Sequence, residues 1–321
     1  MDRFRMLEAF VRVAELGSFT RAAAQLDIPR ATITELVKAL EARVGTTLLH
    51  RTTRRVALTQ EGAAFAPRAS RILAELEDAE DELGVARGAV RGRLRVDVTA
   101  SSGRHLIAPA LPSLFARHPD LDLELGSGDR PVDLLDEGID CVIRGGDLHD
   151  ETLIAKKLIA YECGTFAAPS YLRRHGTPTS PHALAEHRFV NFFSSKTGRT
   201  FDNDFISDDE HLELRGRQRI AVNDADVFLA SGLAGLGLLQ LPLTTQIRAK
   251  LAAGELVRVL VDWRVPPLPI FALWPRRRDR SPRVHAFVSW VAELYEKEQA
   301  SIAASEVSAE RRRSRKRPPT R

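Results

Sequence analysis

Gly17-Ser18-Phe19-Thr20-Arg21-Ala22-Ala23-Ala24-Gln25-Leu26-Asp27-Ile28-Pro29-Arg30-Ala31-Thr32-Ile33-Thr34-Glu35-Leu36-Val37-Lys38-Ala39-Leu40 is the stretch on which the fold turns. Gly17 suits a left-handed helix stop, so the run before it, with Phe4, Leu7, Phe10, Val11 and Ala14 at helical spacing, reads as a first helix. Ser18 is placed to cap a second helix, Phe19 to Leu26, whose three alanines let another helix approach closely. After a tight turn at Asp27-Ile28, Pro29 opens a third helix. Its apolar stripe is Ile33, Leu36, Val37, Leu40 and Val44, and Gly45 ends it. Burying that stripe leaves Arg30, Thr32, Thr34, Glu35 and Lys38 pointing outward, the surface required of a helix that reads a major groove. The pattern alone fits a helical hairpin without a nucleic-acid partner equally well.

The segment that follows separates the two readings. In Leu48-Leu49-His50-Arg51-Thr52-Thr53-Arg54-Arg55-Val56-Ala57-Leu58-Thr59, apolar ends flank a short basic turn, as in a β-wing. Its arginines and threonine hydroxyls supply phosphate donors, and one arginine suits a minor groove. Phe10, Ala14, Gly17-Ser18-Phe19-Thr20, Ala22-Ala23, Leu26, Ile33, Thr34, Leu40-Glu41, Gly45, Leu48-Leu49, Arg51-Thr52, Leu58-Thr59 and Gly62 together resemble the LysR-type transcriptional regulators, in that family's order and spacing. Thr34 stands where the family usually has serine, Leu49 where phenylalanine is common, and Pro29 in place of a frequent serine cap. The resemblance implies a winged helix-turn-helix on double-stranded DNA. The candidate contact residues are Ser18, Thr20 and Arg21, then Arg30, Ala31, Thr32, Thr34, Glu35 and Lys38, then Arg51, Thr52, Thr53, Arg54 and Arg55.

From Thr59, a good N-cap with Glu61 in the first turn, a helical pattern runs to about Gly84. Gly62, Phe65, Ala69, Ile72, Leu76, Ala79, Leu83 and Ala86 alternate by three and four, which predicts a coiled-coil seam with a second copy; packing on its own chain is the alternative. The family uses this helix to dimerise, and two heads on a two-fold axis match a palindromic operator. Gly84 to Gly92, rich in glycine and arginine, reads as a hinge.

Beyond the hinge, strand and helix patterns alternate. Leu94–Thr99, Leu121–Leu125 and Ile139–Arg144 read as strands, with Leu106–Arg117 and Val132–Glu137 as helices between them. Cys163–Ala168, Phe189–Phe193, Leu236–Gln240 and Ile270–Trp274 are further strands, with helices at Ala225–Leu233 and Val284–Tyr295. The fold class is therefore a mainly α winged helix-turn-helix with a long linker helix, followed by an α/β domain with a mostly parallel sheet. Phe115-Ala116-Arg117-His118-Pro119, Gly138 to Arg144, and Gly235-Leu236-Gly237 with Pro242 resemble the same family's effector domain, which implies two subdomains of the periplasmic-binding-protein kind.

In such sheets ligands bind beyond the carboxyl ends of strands, facing helix N-termini. That rule selects Thr99, Ser101, Ser102, Asp129, Arg130, Arg144, Phe166, Asn223 and Asp224. Arg144 either meets an effector carboxylate or pairs internally with Asp129, Asp147 or Asp224. Taken singly, the polar loop residues are more often turn formers than ligands.

The 321 residues carry a net charge of +4, unevenly placed. Residues 1–59 sum to +4 and residues 307–321 to +6, which leaves the body at −6. Basic ends on an acidic body suit a polyanion-binding head joined to a domain with another task. The expected division is a DNA-binding domain at 1–59, a dimerisation helix and hinge at 60–91, an effector domain at 92–300 and a basic, disordered tail at 301–321. With 44% hydrophobic residues, no apolar run of bilayer length and no signal-peptide core, the chain reads as cytoplasmic, with no membrane partner. Two cysteines exclude a disulfide framework. A redox sensor built on Cys141 and Cys163 is the weaker reading, since both lie in apolar strand-like runs. An enzyme is a second rival, but no nucleophile elbow, phosphate-binding glycine loop or His/Cys/Asp cluster at metal-ligand spacing is legible, and His175, His182 and His187 read as solvated loop residues. A transport-binding protein has no use for a basic head. No catalytic residue, metal or cofactor is therefore expected. The expected partners are double-stranded DNA, a small-molecule and plausibly anionic effector, a second copy or a tetramer of this chain, and RNA polymerase.

Overall fold

The structure is a computed structural model of the chain. It describes residues 2–51, 56–84, 90–134, 137–146 and 150–316, except the side chains of 51, 74, 77–84 and 306–316. The chain divides into two compact units. One holds Met1–Ala89 with Asp133–Ile139 and Arg280–Pro282, and the other holds Val90–Val132, Asp140–Asp279 and Arg283–Arg321.

In the first unit, α1 (Arg3–Leu16) begins at Asp2, whose carboxylate accepts from the Phe4 amide, and ends at Gly17, where φ is +59°. Ser18 caps α2 (Phe19–Gln25) by accepting from the Arg21 amide at 3.3 Å. Pro29 takes the N-cap position of α3 (Arg30–Val44), one residue outside the first turn expected for it. Ile33, Leu36, Val37 and Leu40 share a core with Met6, Phe10, Val13, Ala22 and Ala23. Val44, expected on the same stripe, is 39% exposed because the last turn overhangs that core. β1 (Leu49–Arg51) pairs antiparallel with β2 (Val56–Leu58), Leu49 opposite Leu58. The Glu41 carboxylate accepts from the amides of Leu48 at 2.9 Å and Leu49 at 3.1 Å, which ties the hairpin to α3.

Thr59 caps α4 (Gln60–Gly84), accepting from the Gly62 amide at 2.9 Å and donating to the Thr47 carbonyl at 2.8 Å. α4 lies so close to the hairpin that a Cβ at position 62 would overlap the Leu48 carbonyl, so glycine is required there. The expected coiled-coil seam is divided. Phe65, Ala69 and the neighbouring Leu73 pack on this unit's own core, whereas Ile72 is 40% exposed. The side chains of Ala79 and Leu83, and Ala86 as a whole, lie outside the described residues.

The second unit begins with β3 (Gly92–Val98) and one continuous helical run, α5 (Ala100–Ser102), a π turn at Gly103–Ile107 and α6 (Ala108–Arg117). β4 (Leu121–Ser127), β5 (Cys141–Gly145), β6 (Leu153–Ala167), α7 (Pro169–His175) and β7 (Arg188–Phe192) follow. The chain continues through β8 (Asn203–Ile206), β9 (His211–Leu214), β10 (Arg217–Val222), α8 (Ala225–Leu233), β11 (Leu239–Pro242), α9 (Thr245–Ala252), β12 (Val257–Val259), β13 (Val265–Pro275) and α10 (Pro282–Lys316). The main sheet is ordered β11-β6-β13-β5-β3-β4, with β12 also on β6.

That sheet is mixed rather than mostly parallel. β3 runs parallel to β4 and β5, but β13 is antiparallel to both β5 and β6. The reason is that the 15-residue β6 and the 11-residue β13 cross from one lobe to the other. The end of β6 pairs with β11 and β12 in the second lobe, while its beginning pairs with β13 beside β5 in the first. The first lobe's core gathers Val96, Val98, Ile143, Trp274, Phe287, Trp290 and Tyr295. The second lobe buries Phe166, Val190, Phe228, Leu239 and Leu241, with Tyr171, Phe189 and Phe205 in an adjoining cluster. Fully burying one such side chain contributes roughly 1.5–3 kcal/mol.

Three expectations change. The helix expected at Val132–Glu137 is not formed at its described residues, 132–134 and 137. Its described residues are coil and turn, held by the Glu137 amide on the Asp133 carbonyl at 3.0 Å, and Gly138 at φ +65° stops a segment too short to propagate. The strand expected at Leu236–Gln240 begins at Leu239, after the left-handed Gly235. The tail expected to be disordered from residue 301 continues α10 as far as Lys316, because alanine and glutamate keep helix propensity high there. Among the described residues, no helix is long and apolar enough to cross a membrane.

Candidate nucleic-acid interface and ligand cleft

On α3, Arg30, Ala31, Glu35 and Lys38 are exposed, and Thr32 and Thr34 are half-buried. At 3.6 residues per turn, positions 30, 31, 34, 35 and 38 fall within an arc of roughly 140°, opposite the buried stripe. The Thr34 hydroxyl donates to the Arg30 carbonyl at 3.0 Å. Thr20 and Arg21 are exposed on α2, where the Arg21 guanidinium donates to the Leu16 carbonyl, while Ser18 is engaged as the cap. The β1–β2 pairing supports the wing. Its candidate contacts Thr52, Thr53, Arg54 and Arg55, and the side chain of Arg51, lie outside the described residues.

The cleft residues of the second unit converge more unevenly. Asp129, in the loop after β4, accepts from the Ala100 amide through Oδ1 at 3.2 Å and from the Ala225 amide through Oδ2 at 2.8 Å. One carboxylate thus joins the first turn of the run at α5 to the first turn of α8, in the other lobe. Burial raises its pKa and the nearby Asp224 adds to this, while the two amides and Arg144 oppose the rise. Asp224 caps α8 by accepting from the Val227 amide at 2.9 Å, and Asn223 donates to the Ser195 hydroxyl at 3.1 Å. Thr99 and Ser101 are half-buried, and the Ser102 hydroxyl accepts from the Tyr295 hydroxyl at 2.9 Å.

Two assignments are corrected. Among the described residues the acid paired with Arg144 is Asp97, on the adjacent strand β3, rather than Asp129 or Asp224, and Asp147 lies outside the described residues; Arg144 also donates to the Arg130 carbonyl at 3.2 Å. Phe166 is fully buried in the second lobe's core, because it faces inward on β6, and its ring is not offered to a ligand. Sequence reasoning missed Arg104, His105 and Asp226. The Asp226 carboxylate meets the Arg104 guanidinium at 3.2 Å and the His105 ring at 3.3 Å, a second link between the lobes.

Other titratable groups fall away from the cleft. Cys141 and Cys163 are buried, and burial pushes both thiols up, Cys163 to about 11. They stand on β5 and β6 with β13 between, and Cys163 lies opposite Val265 whereas Cys141 adjoins Val142, opposite Leu273, so they are also separated by roughly 25 Å along β13, far beyond disulfide reach. His187, expected in solvent, is buried; the Tyr171 hydroxyl lies 3.2 Å from its Nδ1 and also accepts from the Arg188 amide. Burial, then the neighbouring His175, lowers its pKa. Asp140 is pushed up to about 6 by burial, although the Arg95 amide at 2.8 Å and the Arg278 guanidinium at 2.9 Å hold its oxygens. Strand pairing also brings Asp204, His211 and Glu213 within 4.8 Å of one another on the β8–β9 hairpin, a grouping no sequence spacing reveals.

Residues 4–63 match the family described as bacterial regulatory helix-turn-helix protein, lysR family, and residues 87–296 match the LysR substrate binding domain. An uncharacterised HTH-type transcriptional regulator of Escherichia coli K12, YhjC, is 37% identical over 292 residues, 91% of this chain and 97% of that one. Among solved structures, CrgA of Neisseria meningitidis, a LysR-type transcriptional regulator, is 30% identical with a TM-score of 0.56, covering 91% of this chain and 98% of the other. The virulence activator AphB of Vibrio cholerae is 28% identical with a TM-score of 0.58 over the same shares.

Proposed function

The chain belongs to the LysR family of bacterial transcriptional regulators, and from that premise we propose how its residues divide the work. It is a DNA-binding regulator with an effector-binding domain, not an enzyme. In our reading, Arg30, Ala31, Thr32, Thr34, Glu35 and Lys38 meet base edges. Ser18, Thr20, Arg21 and the wing from Arg51 to Arg55 hold the sugar-phosphate backbone. The observation that carries this is the outward polar arc of α3, set against its buried stripe and followed directly by a paired basic hairpin.

The DNA-binding domain takes residues 1–59, the dimerisation helix and hinge 60–91, the effector domain 92–300 and the basic extension 301–321. A dimer, or a tetramer built from it, rests on an interrupted inverted repeat in the cytoplasm and meets RNA polymerase. The outward Ile72 supports a seam with a second copy. The effector sits against Thr99, Ser101, Ser102, Asp129, Arg130, Arg144, Asn223 and Asp224. It changes subunit placement to the extent that it favours one arrangement over another.

Footprinting the full chain on DNA flanking its own gene, with and without cell-extract metabolites, tests this. The expected result is a protected inverted repeat whose footprint responds to the extract. Absence of salt-sensitive affinity for any duplex would end the reading.

A further inference from the structure

The β8–β9 hairpin has two unlike faces. Asn203 and Phe205 on one strand are buried, and Leu212 and Leu214 on the other pack into the cluster of Tyr171, Phe189 and Phe205. Because side chains alternate along a strand, Asp204, His211 and Glu213 share the opposite, outward face. The register sets Asp204 directly across from Glu213, with His211 in the next pair on that face, across from Ile206. Two carboxylates at directly opposed positions repel each other and weaken a hairpin. Neighbouring acids are compensated: Asp202 meets Arg215 at 2.9 Å, Asp208 meets Arg264 at 3.1 Å and Glu210 meets His182 at 3.1 Å. Among the described residues the Glu213 carboxylate has neither hydrogen bond nor ion pair, and His211 Nε2 lies 3.0 Å from Asp204 Oδ1. With the imidazole neutral, the trio holds two negative charges and one nitrogen lone pair on a single face.

We propose that Asp204, His211 and Glu213 form a binding site for a divalent transition-metal ion of the zinc class. One donor atom from each residue lies within 4.8 Å of the other two. A tetrahedral site with bonds of about 2.0–2.2 Å has edges of roughly 3.3–3.6 Å, so small rotations of these solvent-facing side chains close it. The nitrogen selects the ion. An imidazole with two carboxylates suits zinc, nickel or copper, whereas magnesium and calcium take oxygen donors. The mount is fixed from beneath. The Gln240 side chain on β11 accepts from the Asp204 amide at 3.2 Å and donates to the Asp204 carbonyl at 2.7 Å, and Asn203 donates to the Leu214 carbonyl at 3.2 Å. Three protein donors leave the fourth position to water. A bound ion replaces repulsion across the hairpin with bonds to both strands and so staples β8 to β9. The site uses no residue of the DNA-reading face or of the effector cleft.

Equilibrium dialysis and thermal melting of the full chain, cleared with a chelator and then given zinc chloride or magnesium chloride, test the proposal. Wild type should hold one zinc ion per chain more than Glu213→Gln or His211→Ala, and magnesium should not substitute. Outer-shell partners alone are worth about 10–100-fold in metal affinity, so losing a direct ligand should weaken the site by at least about tenfold. Glu213→Gln should also reverse the order of melting. Without metal it relieves the opposed carboxylates and should melt slightly above wild type; with zinc, wild type should melt above the variant. His211 is exposed, so His211→Ala supplies the count even if Glu213→Gln fails to fold. Equal zinc counts in wild type and either variant, or a zinc-induced rise in Tm as large in Glu213→Gln as in wild type, overturn the proposal and leave His211 and Asp204 as an ordinary ion pair.

Discussion

The reading head and the effector cleft present their functional groups in different ways. On α3 the offered groups are side chains of one helix, and their common direction follows from the 3.6-residue repeat once the opposite face is buried. In the cleft they are amides and carboxylates collected from separate loops. Asp129 meets partners 29 and 96 residues away in the chain, and outside the cleft Asp140 is gathered in the same way, meeting an amide 45 residues away. Gathering such groups costs loop-closure entropy that only the surrounding packing offsets. Damage to an outward residue of the head should therefore cost affinity and leave the fold intact. Damage to a gathered group should cost the fold itself.

The sharpest way to break this contrast is Asp140→Ala. It removes the carboxylate shared by the Arg278 guanidinium, 5% exposed, and the Arg95 amide, and should cost about 3–5 kcal/mol in urea unfolding. A loss no larger than that of a surface substitution would show that distant gathering is not what holds the second unit. Gly62→Ala probes the head's own exception, the close approach of α4 to the hairpin. The added Cβ forces the Leu48 backbone aside and should lower stability by up to about 3 kcal/mol, read as a drop in Tm. Arg30→Ala should leave Tm unchanged while weakening operator binding by about 1–3 kcal/mol and relaxing preference at one base position, in a binding series over operator variants. The smallest effect is expected from Arg54→Ala. It should weaken binding to all sequences alike and flatten the log-affinity against log-salt slope by about one. An unchanged slope would remove the wing from the phosphate contacts.

The same contrast explains how much was legible beforehand. Ser18 as a cap, Gly17 and Gly45 as stops, and the Ile33–Leu40 stripe are local features, and each was recoverable from spacing. Val44 misled because periodicity does not say where a core ends. In the second unit the individual strands were partly visible, but the mixed sheet was not. An apolar run such as Cys163–Ala168 is the same whether it lies in a short parallel strand or at the end of the long crossing strand β6. Arg144 reads from the sequence as meeting either an effector carboxylate or an internal acid, and the acid it meets is Asp97, a neighbour only because β5 lies beside β3. Phe166 was marked for its place near a strand end, whereas the pleat turned it inward.

Taken alone, the order of residues determined the helical head with its wing, the alternation that makes the second unit α/β, and the basic charge that suits the head to a polyanion. These depend on dihedral preference, period and composition, which act over a few neighbouring residues. Tertiary structure alone decided that one carboxylate would span two lobes, that Asp97 would meet Arg144, and that Asp226 would face Arg104 and His105. Hydrogen bonds and ion pairs act over a few ångströms. They join whichever groups the packed core brings within that distance, however far apart those groups lie along the chain.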